Sequence, residues 1–189
     1  MGVAAGTDLR SLRKRPFELL QELERRGRVA LTGTAGDAAD VSEWVGVGFR
    51  IADEQFIVAR DDIREIMIVP QAITRVPGAK PWVRGLANVR GHLLPIVDLK
   101  AFLGGGTKGD TRESRVLVAD SSELSAGVIV DAVFGFRRFL DQEFNSDAPQ
   151  TVARCDRYLD GAYERGQETW PVFSMKRLLS SDEFRNAAE

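Results

Sequence analysis

From Trp44 onward the chain breaks into short apolar runs separated by Gly and Asp, the pattern of β-strands joined by tight turns. Five runs are predicted as strands first, at 45–52, 56–59, 63–69, 86–89 and 92–97. A second series lies at 115–119, 126–131, 133–138, 157–163 and 169–173, with 104–111 as the connector. Ahead of them Leu12, Phe17, Leu19, Leu20 and Leu23 share one side of a helix carrying Glu18, Glu22, Glu24, Arg25 and Arg26, which Gly27 would end. The stretch 32–42, with Gly33, Gly36 and Asp37, has little to bury and reads as a linker. The expected organisation is a helix and flexible linker over 1–43, a body over 44–180 and a tail over 181–189. The body has halves of 44–104 and 112–180, which could intertwine.

Those halves share an internal repeat. Pro95-Ile96-Val97-Asp98-Leu99-Lys100-Ala101-Phe102-Leu103 aligns with Pro171-Val172-Phe173-Ser174-Met175-Lys176-Arg177-Leu178-Leu179, and the same spacing pairs Gly85 with Gly161 and Trp82 with Tyr158 without a gap. Each unit reads as a strand ending at an N-cap, Asp98 or Ser174, followed by a short amphipathic helix. Gly104 ends the first of these helices after about one turn. Pro95 and Pro171 cannot donate to a ladder and belong at an edge or a bulge. The predicted fold is all-β with short helices: two five-stranded β-barrels, plus the N-terminal helix.

Asn88-Val89-Arg90-Gly91 fits a type I turn followed by a glycine bulge, which puts Arg90 near a hairpin tip. An arginine in such a place is ordinarily just solvated. The run Leu93, Leu94, Ile96 and Val97 leaves no polar face, so its strand is packed on both sides or borders a binding surface.

Composition narrows the function classes. At 189 residues and 43% hydrophobic, the chain can bury one ordinary core or two small ones sharing an interface. A net charge of -2 argues against a nucleic-acid partner, because no global positive field is present. With one cysteine (Cys155) and one histidine (His92), neither an intrachain disulfide nor a Cys/His metal cluster can form. No apolar run reaches the length of a bilayer span and residues 1–15 lack a signal-peptide core, so a cytoplasmic location is expected.

Catalytic readings are weak. The segment 104–108 lacks the ending of a phosphate loop and follows a helix instead of opening one. Asp61 with Asp62, or Asp98 with Asp131, could be imagined as acid/base pairs, but Asp98 already has a capping role. The basic residues Arg10, Arg13, Lys14 and Arg15 read as a solvated helix face. An oligonucleotide-binding small barrel would need more than 8% aromatics and a positive groove. The expectation is a protein without enzymatic activity, metal or cofactor.

The run Trp82-Val83-Arg84-Gly85-Leu86-Ala87-Asn88-Val89-Arg90-Gly91, followed by Leu94-Pro95-Ile96-Val97-Asp98-Leu99, resembles the CheW-like domain of bacterial chemosensory systems. Ile129-Val130-Asp131-Ala132-Val133 and Tyr158-Leu159-Asp160-Gly161 extend the resemblance, which covers 44–180. It implies two SH3-like barrels around a shared core, and an adaptor between a methyl-accepting chemotaxis receptor and a CheA-type histidine kinase in membrane-associated receptor arrays. Carried over by motif, Arg90, Gly85, Ile63, Glu65 and Leu93 are the implied receptor-binding positions, and Phe56, Phe134, Gly135 and Phe136 the implied kinase-binding ones. Phe17-Glu18-Leu19-Leu20, the segment 44–50 and Trp170-Pro171-Val172-Phe173-Ser174 more narrowly resemble the PilI-type adaptors of type IV pilus systems, implying twitching motility as output. Unlike ordinary family members, the chain carries some forty residues before its first strand.

Overall fold

The computed structural model describes residues 43–106, 109–120, 124–153 and 155–188. The predicted N-terminal helix and linker lie outside the described residues. Among the described residues, eleven strands form two sheets. One has the order β8-β1-β2-β11-β10-β9, built from β1 (Glu43–Ile51), β2 (Glu54–Ala59), β8 (Ala132–Leu140), β9 (Phe144–Asn145), β10 (Leu159–Arg165) and β11 (Glu168–Phe173). The other has the order β3-β6-β7-β5-β4, from β3 (Ile63–Ile68), β4 (Val83–Val89), β5 (His92–Asp98), β6 (Arg115–Asp120) and β7 (Ser125–Val130). Three short helices accompany them: α1 (Leu99–Phe102), α2 (Met175–Ser180) and α3 (Asp182–Arg185). The ten predicted strands are present with shifted ends. The first sheet has six strands instead of five because Phe144 and Asn145 pair with Tyr163 and Ala162.

Both faces of most strands are apolar, and the two-residue alternation of side chains sends each face to a different cluster. In β6, Leu117 and Ala119 enter a large central cluster, while Val116 and Val118 join Ala87, Val89, Leu94, Ile96 and Ile129 on the opposite side of the sheet. In β2, Phe56 and Val58 face the central cluster and Ile57 faces Phe139, Tyr163, Trp170 and Val172. The central cluster draws on both sheets and all three helices. This accounts for the predicted strand without a polar face: Leu94 and Ile96 fill one cluster, and Val97 fills the other.

The repeat is visible atom by atom. The amide of Asp98 donates to the carbonyl of Trp82 at 2.9 Å, and the amide of Ser174 donates to that of Tyr158 at 2.8 Å. Asp98 accepts from the Ala101 amide and Ser174 from the Arg177 amide, so both caps close the first turn of their helices. Gly85 and Gly161 sit at matching β-bulges, with φ of 136° and 141°. At both places a neighbouring carbonyl fills the space a Cβ would need: Thr74 O stands 2.1 Å from an ideal Cβ at Gly85, and Asn145 O 2.4 Å from one at Gly161.

Neither sheet is made from one continuous half of the chain. The first repeat places β1 and β2 in the six-stranded sheet, then crosses over to supply β3, β4 and β5 to the other. The second repeat does the reverse, leaving β6 and β7 in the five-stranded sheet before β8 to β11 complete the first. Each sheet is locked by a parallel pairing across this exchange, Val172 with Ile57 and Ile96 with Gly127. The stretch read as a C-terminal tail contains α3, which is held because Phe184 stacks on Trp82 at 5.5 Å and is buried.

Candidate functional site

The β4–β5 hairpin reverses through two residues, since Val89 pairs with His92. Arg90 and Gly91 both have positive φ, 52° and 86°, the mark of a type I′ turn. This corrects the expected type I turn with a bulge: the mirror-image turn matches the right-handed twist of the strands it joins. Asn88 Oδ1 accepts the Gly91 amide at 2.9 Å and fixes the loop. Arg90 therefore occupies the left-handed region at the tip, with its side chain 78% exposed.

From there Arg90 Nη2 reaches Glu65 Oε1 on β3 at 2.7 Å. β3 and β4 are the two edge strands of the sheet, so the ion pair joins its tip to its far edge. With the Arg90 end exposed to solvent, the pair adds at most about 1 kcal/mol to stability. The pair holds the Arg90 guanidinium beside β3. Leu93, 71% exposed, lies on the same hairpin opposite Asn88. Ile63 begins β3, pairs with Ala119 and packs partly against the central cluster.

Of the expected receptor-site positions the structure puts Arg90 and Glu65 in contact, while Leu93 lies on the same hairpin as Arg90 and Ile63 on the same strand as Glu65. Gly85 does not belong with them. It is buried in the bulge of β4 against Thr74, and its place in the motif reflects the backbone conformation it permits. Sequence reasoning missed Ile66 and Ile68, 36% and 67% exposed on β3. Along β3 the side chains alternate between half-buried and exposed, so a strict two-residue reading of Ile63 to Ile68 would have found them.

Of the expected kinase-site residues, Phe56 is corrected: it is fully buried, stacked on Phe49 at 5.7 Å in the central cluster, and offers a partner no surface. Phe134 and Phe136 are 40% and 62% exposed on edge strand β8, either side of Gly135 with φ of 86°. Gly135 lies opposite the register shift at Gly48 and Phe49. Phe134 also meets Trp170 edge-on at 6.2 Å.

Asp98 and Asp131 have structural duties in place of acid/base ones. Asp98 caps α1, and burial pushes its pKa above the ordinary value, partly offset by the Ala101 amide and Arg84. Asp131 accepts the Ala52 amide at 2.6 Å and fixes the β1–β2 turn. Cys155 is buried, and desolvation pushes its thiol up to about 11, which makes it a poor nucleophile. Among the described residues no group of three or more His, Cys, Asp and Glu could hold a metal ion, and no helix is long and apolar enough to cross a membrane.

Exposed aliphatic and aromatic side chains on two sheet edges, with a fixed charge at one of them, define a protein-binding surface more readily than a catalytic cleft. The chain belongs to the CheW-like domain family, whose match runs over residues 45–183. It is 36% identical to Protein PilI of Pseudomonas aeruginosa over 173 residues, covering 92% of this chain and 96% of that one. It is 24% identical to the chemotaxis protein CheW of Helicobacter pylori, covering 86% and 97% of the two chains. In fold it matches the crystal structure of the scaffolding protein TtCheW from Thermoanaerobacter tengcongensis, with a TM-score of 0.65 and 24% identity over 75% of this chain and 96% of that one. The family resemblance read from the motifs is borne out, and so is the narrower likeness to PilI.

Proposed function

We propose that the chain is a non-enzymatic scaffold that couples a methyl-accepting chemotaxis receptor to a CheA-type histidine kinase, in the system that controls type IV pili and twitching motility. Membership of the CheW-like family over residues 45–183 carries this reading, and the 36% identity to PilI supports the pilus branch. On this reading each sheet is an SH3-like barrel, and the protein reaches the membrane through receptor arrays.

The receptor docks at the hairpin tip. Leu93, Ile63 and Ile66 supply apolar contact, while the Arg90–Glu65 pair sets orientation. The kinase docks at β8 through Phe134, Gly135 and Phe136, which lie on the other sheet. Signal passes as a change in docking, without chemistry. The test is co-sedimentation of purified protein with receptor fragment and kinase. Arg90→Glu is expected to lose the receptor and keep the kinase, and Phe136→Ala to do the opposite. Undiminished recovery of both partners by both variants would sink the assignment of these sites.

A further inference from the structure

At the end of the five-stranded sheet opposite the Arg90 tip, two adjoining clefts of about 640 and 470 Å³ share Arg75 and Arg84 in their walls. Arg84 is the second residue of β4 and Arg90 follows its end, so the clefts and the tip are separated by about 20 Å of extended strand. Five cations line the clefts, Arg75, Lys80, Arg84, Arg112 and Arg115, against one carboxylate, Asp110. Asp110 is committed to Arg84, accepting from Nη1 and Nη2 at 3.0 and 2.9 Å. Arg115 donates to the backbone carbonyls of Arg112 and Ser114, at 2.8 Å each, so no carboxylate neutralises it. Arg75, Lys80 and Arg112 have no ion-pair partner among the described residues. In a chain of net charge -2, this is a local concentration of unneutralised positive charge in a concave site.

We propose that this cleft is a second docking site, for an acidic, aliphatic-rich peptide segment of a partner protein. Three features choose that occupant. The uncommitted arginines and lysine call for carboxylates, which arginine binds in a planar, two-pronged fashion. Between them the walls are aliphatic, with Ile68, Val69, Ile73, Val76 and Val83, which suits Leu or Ile side chains interspersed with the acids. No aromatic side chain lines either cleft, so there is no platform on which nucleic-acid bases could stack, and concavity is the wrong shape for a bilayer surface.

The test uses the full chain and a short fluorescein-labelled peptide of alternating glutamate and leucine, titrated at low and at raised salt. Expected is saturable binding that weakens with salt, and that falls at least about tenfold in the double variant Arg75→Glu, Arg112→Glu. Both residues are exposed, and the variant is to be compared at a thermal midpoint matching the parent. As a control, Arg60→Glu, at the far end of β3, is expected to bind within about twofold of the parent. No binding, or binding that the double variant leaves intact, overturns the proposal. So does equally tight binding of inorganic pyrophosphate or of a single-stranded oligonucleotide, either of which would make the cleft a site for anions of another class. None of these readouts involves receptor or kinase, so they succeed or fail independently of the proposed scaffold role.

Discussion

Trp82 and Asp98 are joined by a 2.9 Å backbone hydrogen bond that closes the β4–β5 hairpin at the point where the chain turns into α1. The side chain of Asp98 then caps that helix in a buried place where its charge is disfavoured. A carboxyl whose folded pKa is raised favours the native state in acid, and that benefit is lost as pH rises through the folded value. At neutral pH the charge is therefore a cost, and asparagine caps as well as aspartate. Asp98→Asn is expected to leave urea stability at pH 7 unchanged or higher. Ser174→Ala, which removes the equivalent cap with nothing in return, is expected to cost about 1 kcal/mol in the same measurement.

Gly85 and Gly161 give a stronger pair of outcomes. Alanine at either would add a Cβ against a carbonyl oxygen on a backbone that L-residues rarely adopt. Each substitution should lower stability by about 2 kcal/mol or more. Gly104→Ala, where φ is 85° but the space is open, should cost only about 1 kcal/mol. Thermal unfolding of the three variants side by side separates steric from conformational cost.

Tyr158 buries its hydroxyl among Phe102, Phe173 and the central cluster without a hydrogen-bond partner among the described residues. Tyr158→Phe removes the orphaned group and keeps the ring. Its stability should rise, by up to about 1–3 kcal/mol, or stay level. A clear loss in chemical denaturation would show that the hydroxyl has a partner after all.

On the proposed receptor role, Arg90 should separate stability from function. Glycine at this position relieves the left-handed backbone, so Arg90→Gly should be more stable than the parent by about 1 kcal/mol while losing receptor recovery in co-sedimentation. Arg90→Val, branched at Cβ, should lose both.

Glu143 provides a pH signature. Hydrogen bonds from Arg165 first, and the Leu140 amide second, hold its carboxyl at about 2, against an ordinary 4.5. For a depressed acid the stabilisation is present above the unfolded value and disappears as pH falls from 4.5 towards 2. Thermal midpoints of Glu143→Gln should accordingly lie below those of the parent near neutrality and converge with them across that acid range.

Much of the local architecture could be read from the residues because its determinants are short-range. The caps Asp98 and Ser174 depend on neighbours in sequence and appear where expected, and the repeat pairs Gly85 with Gly161 as its spacing predicts. Phe56 was misread because an aromatic in a short strand looks the same from the sequence whether it faces solvent or Phe49. The turn at Arg90 was misread because Asn and Gly three positions apart suit more than one loop, and strand twist decides among them. The Arg75 cleft was invisible, since it gathers loops from 69–84 and 109–115 whose approach depends on the whole sheet.

The exchange of strands between the repeats also sets an order of events during synthesis. β1 and β2 leave the ribosome first, yet β2 has β11 as a neighbour, near the C-terminus, and β1 lies against β8. Nor can the five-stranded sheet close before β7 has arrived to bridge β6 and β5. Pairings this distant in sequence form late and slowly. The nascent chain must therefore carry an unfinished hairpin, with Phe49 and Phe56 uncovered, until translation is nearly complete, whereas the five-stranded sheet, drawn from residues 63–130 alone, can pair as soon as β7 has emerged.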